Sequence, residues 1–303
     1  MRNRNEFQQK IAALLQGIEL RFFEPMAKHT SFRIGGPAEV MAFPKNGEEL
    51  SRILKTSRIL DSKTAILGAG TNVLAPDEGI PGVVICLKDC MDGMERLDDT
   101  HIRVASGVTM RRAAVYAAGL GLSGLEFAHG IPGTVGGGVY MNAGAYGSEI
   151  SQVCQSVQIM HMDGRVETLT AQQMGFSYRY SRLEEQQAIV LGAVFALTPK
   201  PENEIRAYMQ ELLAKRKKSQ PLDLPSAGSA FKRPAGGYAA ALIDQAGLKG
   251  FRVGNAGISE KHAGFAVNLG GATAQDVKLL LQQVSDKVLE ASGIRLEPEV
   301  RIW

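Results

Sequence analysis

The clearest hydrophobic pattern in this sequence lies near its C-terminus. Between about residues 274 and 291 apolar positions recur at helical spacing and fall on one helix face: Val277, Leu280, Leu281, Val284 and Val288. Thr273 is suited to cap the first turn, and Gly293 is suited to end the helix. The pattern therefore predicts a long amphipathic helix with one buried face.

Shorter segments predict a mixture of strands and further helices. Continuous apolar runs, which are typical of buried strands, occur at 64–68, 83–87, 188–197 and 262–269. Helical patterns occur at 109–119, 202–218 and 237–247. Met162-Asp163-Gly164-Arg165 lies between two strand-like segments and predicts a hairpin turn. Because strands and helices are mixed without an internal repeat, the fold class is α+β or mixed α/β.

Composition narrows the class of protein. A chain of 303 residues suggests two or three domains. With 45% hydrophobic and 21% charged residues, the composition is that of a soluble globular protein. A net charge of +3 is too balanced to indicate nucleic-acid binding. The apolar run at 11–15 is too short for a signal peptide, and no run is long enough to span a membrane, so we expect a cytoplasmic protein without membrane insertion.

The cysteines predict neither a disulfide framework nor a metal site. There are three, an odd and low number for a disulfide-stabilised fold. Cys86 and Cys90 have CxxxC spacing, but no histidine or second cysteine pair accompanies them. We therefore expect no bound metal.

Glycine is concentrated in two segments that could hold a ligand. Residues 119–147 contain ten of the 34 glycines, interspersed with apolar residues, which indicates closely packed backbone rather than a flexible linker. The stretch LGAGTNVL (67–74) follows a predicted strand and fits a tight turn or a phosphate cradle equally well. Neither segment has the Rossmann or P-loop pattern. Together they suggest a dinucleotide held by backbone amides in another fold.

Two polar features have a structural and a functional interpretation. Ser229 in PSAGSAFKRP (225–234) follows a glycine in a proline-bounded segment, and local composition favours a simple turn residue. The basic run at 215–218 ends a predicted helix, where it can face solvent and complement the helix dipole or contact a phosphate.

Seven stretches, in order along almost the whole chain, carry a family resemblance. They are SFRIGGPA (31–38), LGAGTNVL (67–74), GIPGTVGGGVYMNAGAYG (130–147), FSYRYSR (176–182), PSAGSAFKRP (225–234), LIDQAGLKGFRVGNAGISEKHAGF (242–265) and LEPEVRIW (296–303). With them the sequence resembles the UDP-N-acetylenolpyruvoylglucosamine reductase family.

The resemblance implies an α+β protein with a two-lobed FAD-binding module of the vanillyl-alcohol-oxidase (PCMH) type and a C-terminal α+β substrate-binding domain. We expect the lobes at 1–95 and 96–200 and the third domain at 201–303, with residues 297–303 packing back near the active site. The family reduces UDP-N-acetylglucosamine enolpyruvate to UDP-N-acetylmuramate in peptidoglycan precursor synthesis. It uses NADPH and non-covalently bound FAD.

The resemblance also implies roles for individual residues. Arg179 would stabilise the enolate, Ser229 would donate the proton, and Glu299 would assist. Implied cofactor contacts are Gly68, Gly70, Thr71, Asn72, Gly130, Ile131, Pro132, Gly133, Thr134, Gly136, Gly137, Asn142, Gly144 and Arg216. Implied substrate contacts are Tyr146, Tyr178, Lys249 and His262. Spacing does not separate Glu299 from Glu297, and the family motif selects Glu299.

Two departures concern the substrate side of the site. The segment after Ser181 runs directly into a strand, which resembles the shorter family form without a tyrosine-bearing loop. The motif FKRP has Arg233 where the family has asparagine.

Two other functions remain open at this stage. An FAD oxidase of the same fold would commonly bind its flavin covalently through a His or Cys side chain, and His129 is the candidate for that bond. A UDP-sugar sensor without activity would lack Arg179, Ser229 or Glu299. We expect a monomer or a weak homo-oligomer.

Overall fold

The computed structural model describes residues 4–303, and within them it has eight α-helices and nineteen strands. The helices are α1 Arg4–Leu14, α2 Gly47–Ile59, α3 Met110–Gly119, α4 Val135–Tyr140, α5 Leu183–Gln186, α6 Glu202–Ser219, α7 Ala239–Gln245 and α8 Ala274–Ser292. The strands are β1 Glu19–Pro25, β2 Pro37–Phe43, β3 Thr64–Leu67, β4 Val73–Leu74, β5 Ile80–Cys86, β6 Met94–Arg96, β7 His101–Ala105, β8 Leu122–Ser123, β9 Gly144–Ala145, β10 Ser148–Glu149, β11 Cys154–Met160, β12 Val166–Thr170, β13 Ile189–Ala196, β14 Thr198–Pro199, β15 Ser226–Ser229, β16 Arg252–Val253, β17 Ala256–Ile258, β18 Phe265–Asn268 and β19 Arg301–Ile302.

The chain forms two compact units, each assembled from separate segments. Of the described residues, the first contains 4–22, 39–69 and 81–214, and the second contains 23–38, 70–80 and 215–303. Because both units draw on segments that are distant in sequence, they neither support nor exclude lobes at 1–95 and 96–200 and a third domain at 201–303. Those three domains stay a prediction.

The first unit is built mainly on two sheets. One has the order β1-β2-β5-β3, with β3 and β5 parallel, and its core includes buried residues of α1 and α2. The other has the order β12-β11-β13-β7-β6 and is antiparallel throughout. Its core includes buried residues of α3, α4 and α6. The strands predicted at 64–68, 83–87 and 188–197 and the hairpin near Gly164 are confirmed.

The second unit has a four-stranded sheet, β15-β18-β17-β16, whose core it shares with α7 and α8. The amphipathic helix predicted at 274–291 is α8, and all five of its predicted core residues are buried. Each fully buried valine or leucine contributes about 1.5–3 kcal/mol. Thr273 and Asp276 form a capping box, and Gly293 ends the helix with φ +74°. This sheet and helix support the segment that carries Ser229.

Three broad properties concern residues 4–303 only. None of the helices there combines the length and apolar character needed to cross a membrane. No group of three or more His, Cys, Asp or Glu side chains in this range could hold a metal ion. Cys86, Cys90 and Cys154 are free thiols, and burial raises the pKa of Cys154 to about 12.

Candidate active site

Ser229 is the last residue of a strand that contains a bulge. It pairs with Phe265 of β18, and the register shifts between Ser226 and Ser229. Gly228, with φ +77°, lies within this shift. A bulge re-aims the side chain that follows it and is common beside active sites. Ser229 is therefore a strand residue, and the turn interpretation favoured by local composition is wrong.

The Ser229 hydroxyl is not used in holding the fold together. The side chain is half-buried, and its oxygen forms no hydrogen bond with any residue in the range 4–303. A hydroxyl in this state can bond to a bound molecule without first breaking a protein contact.

The C-terminal segment pairs with the chain that follows Ser229. The Glu299 N–H donates to the Ala230 carbonyl at 2.9 Å, and the Lys232 N–H donates to the Glu297 carbonyl at 2.9 Å. Glu299 is half-buried, whereas the Glu297 side chain is 75% exposed and forms an ion pair with Lys232 at 3.6 Å. The two glutamates, which sequence spacing could not separate, therefore have different environments.

The end of the LGAGTNVL stretch lies against the same C-terminal segment. The Asn72 side chain donates to the Glu299 carbonyl at 3.1 Å, and the Arg301 N–H donates to the Asn72 carbonyl at 3.0 Å. β4 and β19 then pair in parallel. Asn72, predicted as a cofactor contact, thus supports Glu299 through its side chain, while the predicted cofactor contact stays a prediction.

Ser31 connects the same loop to the strand of Ser229. Its N–H donates to the Gly70 carbonyl at 3.0 Å, and its hydroxyl donates to the Ser226 carbonyl at 2.6 Å. Sequence reasoning assigned Ser31 no role, because its partner in β15 is 195 positions away and no local pattern marks such a contact. The second unit therefore brings Gly70, Asn72, Ser229 and Glu299 into one connected region.

Backbone donors in the two glycine segments remain available. Within residues 4–303, the N–H groups of Gly68, Ala69, Gly70 and Asn72 donate to no acceptor. Successive unpaired N–H groups in a glycine-rich loop can bind phosphate oxygens. The loop thus fits the anionic part of a dinucleotide, which the sequence left open against a plain tight turn.

The larger glycine segment contributes fewer donors than its composition suggests. The Val135 and Gly136 N–H groups donate to the carbonyls of Val108 and Ser106 at 2.8 and 2.9 Å. The Gly133 and Thr134 N–H groups have no acceptor among residues 4–303. A Cβ at Gly136 would lie 2.9 Å from the Ser106 Cβ, so glycine is needed there for packing.

Within the first unit the two glycine segments touch. A Cβ added at Gly68 would lie 2.6 Å from the Thr134 hydroxyl, which caps α4. Loops this close can contact one ligand together. The individual contacts predicted for Gly130, Ile131, Pro132, Gly137 and Gly144 stay predictions.

Arg179 lies at the tip of a tight turn in the first unit. Ser177 and Tyr180 exchange backbone hydrogen bonds of 3.1 and 3.2 Å across the turn. Arg179 has φ +56°, and its guanidinium lies 5.1 Å from the centre of the Tyr178 ring. A non-glycine residue in this left-handed region is held there by its surroundings, and such residues cluster at functional sites.

Tyr146 lies at the tip of a hairpin in the same unit. The hairpin joins β9 to β10, and Tyr146 and Gly147 at its tip have φ of +56° and +83°. Two consecutive positive φ values are typical of the turn that matches the twist of paired strands. The tyrosine ring is 42% exposed, which leaves it accessible to a ligand.

Three predicted polar contacts belong to the second unit. Arg216 is near the C-terminal end of α6, and Lys249 forms an ion pair with Asp244 at 2.7 Å. The His262 ring packs edge-on against Phe265, with the two ring centres 5.0 Å apart, and Phe265 is the residue that pairs with Ser229. Burial lowers the pKa of His262, and the charge of Lys249 lowers it further.

His129 has an environment that explains its burial without a tether. The residue is 6% exposed, and its Nδ1 has no hydrogen-bond partner among residues 4–303. Burial lowers its pKa from the ordinary value of 6.5, and the charge of Arg111 lowers it further. The folded state therefore favours the neutral ring.

We expect protonation of His129 to weaken the fold in mild acid. Because its pKa is lower in the folded chain, the unfolded chain takes up the proton first, and stability falls as pH drops below about 6.5. His129→Gln should reduce the loss of unfolding free energy between pH 7.5 and pH 5. Urea titrations at both pH values measure this free-energy loss. A loss in His129→Gln equal to that of the wild type would contradict the expectation.

Two family models match this chain over separate ranges. Residues 38–170 match a family model described as an FAD binding domain. Residues 220–303 match a model described as the C-terminal domain of UDP-N-acetylenolpyruvoylglucosamine reductase. The expected organisation, an FAD-binding module followed by a C-terminal α+β domain, is confirmed.

Individual relatives extend over nearly the full chain. A UDP-N-acetylenolpyruvoylglucosamine reductase from Agathobacter rectalis is 47% identical over 92% of this chain and 92% of its own length. One from Streptococcus pneumoniae is 43% identical over 97% of each chain. The crystal structure of the reductase from Thermus caldophilus superposes with a TM-score of 0.80 at 37% identity, covering 94% of this chain and 98% of that one. This chain belongs to the UDP-N-acetylenolpyruvoylglucosamine reductase family.

Proposed function

We propose that this protein reduces UDP-N-acetylglucosamine enolpyruvate to UDP-N-acetylmuramate with NADPH, through bound FAD, in peptidoglycan precursor synthesis. The observation that carries the proposal is the uncommitted Ser229 hydroxyl on a bulged strand, with Glu299 fixed beside that strand's continuation. When bound, FAD supplies the hydride chemistry, and the protein supplies position, charge and protons.

The reaction adds a hydride to one carbon of the enol ether and a proton to its neighbour. Hydride addition leaves negative charge that the substrate carboxylate shares as an enolate. Arg179 would stabilise this charge, because a guanidinium can hold a carboxylate through two parallel hydrogen bonds. Its strained position at the turn tip fits a group held in place for such a contact.

Ser229 would give the proton to the enolate carbon. A serine hydroxyl is a weak acid in water, but a strongly basic carbon at hydrogen-bond distance makes the transfer feasible. Glu299 would orient or polarise the same hydroxyl. Its half-buried position, with backbone bonds to Ala230 and Asn72, suits that role better than the exposed position of Glu297.

We propose that the phosphates of FAD are held by unpaired backbone N–H groups, those of Gly68, Ala69, Gly70, Asn72, Gly133 and Thr134. Arg216 would add a cation to this contact. Tyr146, Tyr178, Lys249 and His262 would contact the substrate, and exposure of both tyrosines supports this. The cytoplasmic location and the monomeric or weakly associated state remain predictions.

The two C-terminal glutamates offer a matched comparison. Glu299→Gln should reduce kcat by about 10²-fold or more, because it removes the charge beside the proton donor. Glu297→Gln removes the same charge two residues away at an exposed ion pair and should leave kcat within about twofold. Steady-state kinetics of both variants measure this. Equal losses in the two would contradict the role of Glu299.

The absorption spectrum of the purified protein tests the proposed function. We expect a yellow protein whose flavin band bleaches with NADPH and returns, without oxygen, when UDP-N-acetylglucosamine enolpyruvate is added. Acid denaturation should release the flavin into the supernatant. Flavin that stays with the chain would instead support an oxidase tethered through His129.

The binding-only alternative gives a different spectrum. A UDP-sugar sensor would bind the substrate, but the bleached flavin would not recover its absorbance under anaerobic conditions. That result would overturn the proposed function. The presence of Arg179, Ser229 and Glu299 in one chain argues against it.

A further inference from the structure

Asn142 has a side chain whose polar atoms all bond to protein. The residue is 0% exposed and has φ +47°. Its amide nitrogen donates to the Ser177 carbonyl and to a Glu149 carboxylate oxygen, both at 3.0 Å, and its oxygen accepts from the Ser151 N–H at 2.9 Å. An asparagine amide has two donor hydrogens, and both are used here. The side chain thus has no donor left for a cofactor.

The side-chain partners of Asn142 belong to two loops that carry predicted site residues. Ser177 begins the turn whose tip is Tyr178 and Arg179. Glu149 lies on the second strand of the hairpin that carries Tyr146 and pairs there with Gly144. A single buried amide therefore connects the arginine turn to the tyrosine hairpin.

A second contact holds the other end of the arginine turn. The Ser181 hydroxyl donates to the Tyr140 carbonyl at 2.5 Å, and Ser181 is 0% exposed. Tyr140 ends α4, two residues before Asn142. The turn is thus fixed at both ends to one short piece of chain, residues 140–142.

The hydrogen bonds at both ends of the turn can hold Arg179 in its left-handed conformation. Arg179 has φ +56°, a conformation that costs a non-glycine residue free energy and persists only when the surroundings impose it. A guanidinium that must meet a carboxylate bidentately tolerates little displacement, and a misplacement of about 1 Å can cost roughly 10²-fold in rate.

We propose that Asn142, with Ser181, is a positioning residue that sets Arg179 for the enolpyruvyl substrate, rather than a cofactor contact. This inference rests on the proposed role of Arg179. It assigns to Asn142 an effect on one half of the reaction only, since NADPH oxidation does not need the enolate-stabilising cation.

The test uses Asn142→Ala and Ser181→Ala, with Ser292→Ala as the control. Ser292→Ala also removes a hydrogen bond from a serine hydroxyl to a backbone carbonyl, but its partner is Val288 at 2.7 Å, on the same helix α8. FAD content and the thermal midpoint are measured first for all three. Stopped-flow absorbance then separates the half-reaction with NADPH from the half-reaction with the enolpyruvyl substrate.

We expect all three variants to retain FAD and to react with NADPH within about twofold of the wild type. Asn142→Ala and Ser181→Ala should slow the half-reaction with the enolpyruvyl substrate by about 10- to 100-fold, and Ser292→Ala by less than about twofold. Loss of FAD from Asn142→Ala alone, or equal slowing of both halves, would overturn the inference. If Asn142→Ala does not fold, Ser181→Ala still tests the inference, because it releases the other end of the same turn.

A double-mutant cycle shows whether Asn142 acts through Arg179. In an Arg179→Ala background, Asn142→Ala should add less than about twofold, because the group it positions is absent. A full additional loss would overturn the inference. If Arg179→Ala alone leaves the enolpyruvyl half-reaction unchanged, the proposed role of Arg179 fails and the inference with it. If Arg179→Ala is slow while Asn142→Ala and Ser181→Ala are unaffected, the inference alone fails.

Discussion

Replacing Ser229 by alanine is expected to slow the half-reaction with the enolpyruvyl substrate by about 10²- to 10⁴-fold, the usual effect of removing a positioned acid. The half-reaction with NADPH should stay within about twofold, since it needs no proton from Ser229. The hydroxyl forms no hydrogen bond with residues 4–303, so its removal leaves no protein group unpaired. Stopped-flow absorbance of the flavin measures both rates.

Ser226→Ala is the control for Ser229→Ala. It makes the same chemical change at the start of the same strand, where the contact to Ser31 uses the backbone carbonyl rather than the side chain. Both half-reactions should stay close to wild type in this variant. If Ser229→Ala slows the two halves equally, or slows neither, the proton comes from another group.

Replacing Gly70 by alanine is expected to produce a folded protein that retains little FAD. The Cβ would lie 2.1 Å from the His29 carbonyl oxygen and 2.9 Å from the Thr30 Cα, so the loop must move. Movement displaces the unpaired N–H groups of Gly70 and Asn72 that we assign to the cofactor. We expect the FAD dissociation constant to rise at least tenfold, or about 1.4 kcal/mol. Fluorescence titration of the stripped protein with FAD measures it.

Gly293→Ala separates this clash from backbone strain. Gly293 has φ +74°, close to the +60° of Gly70, but a Cβ there has no atom within 4 Å. Both variants are destabilised by an alanine with a positive φ, and only Gly70→Ala also brings the new Cβ into collision with other atoms. If the two variants bind FAD equally well, the loop at residues 68–72 does not hold the cofactor.

Local sequence patterns predicted the elements whose stability is local. Helix α8 shows this, because its apolar period, its Thr273 cap and its Gly293 end all lie within about twenty residues. The buried strands and the hairpin at Gly164 were predicted for the same reason. The glycine stretches were located as candidate ligand loops from composition alone, since few other uses require so many small residues among apolar ones.

Contacts between distant segments were beyond that kind of prediction. The environment of Ser229 depends on a bulge in β15 and on its pairing with β18, which local composition misread as a turn. The difference between Glu297 and Glu299 appears only when the C-terminal segment pairs with residues 230–232. The Asn142 side chain bonds to three partners up to 35 residues away, and no local pattern marks those contacts.

By itself the sequence determined helices α3, α6, α7 and α8, a minority of the strands, the family and the residue types available for chemistry, because these follow from periodicity, capping and ordered motifs. Only the tertiary structure decided which N–H groups are free, which glutamate lies beside the strand of Ser229 and what holds Arg179 at its turn tip. The physical reason is that hydrogen-bond availability and burial depend on residues brought together from remote parts of the chain. Ser31 and Ser226, joined across 195 positions by one hydrogen bond of 2.6 Å, show that dependence directly.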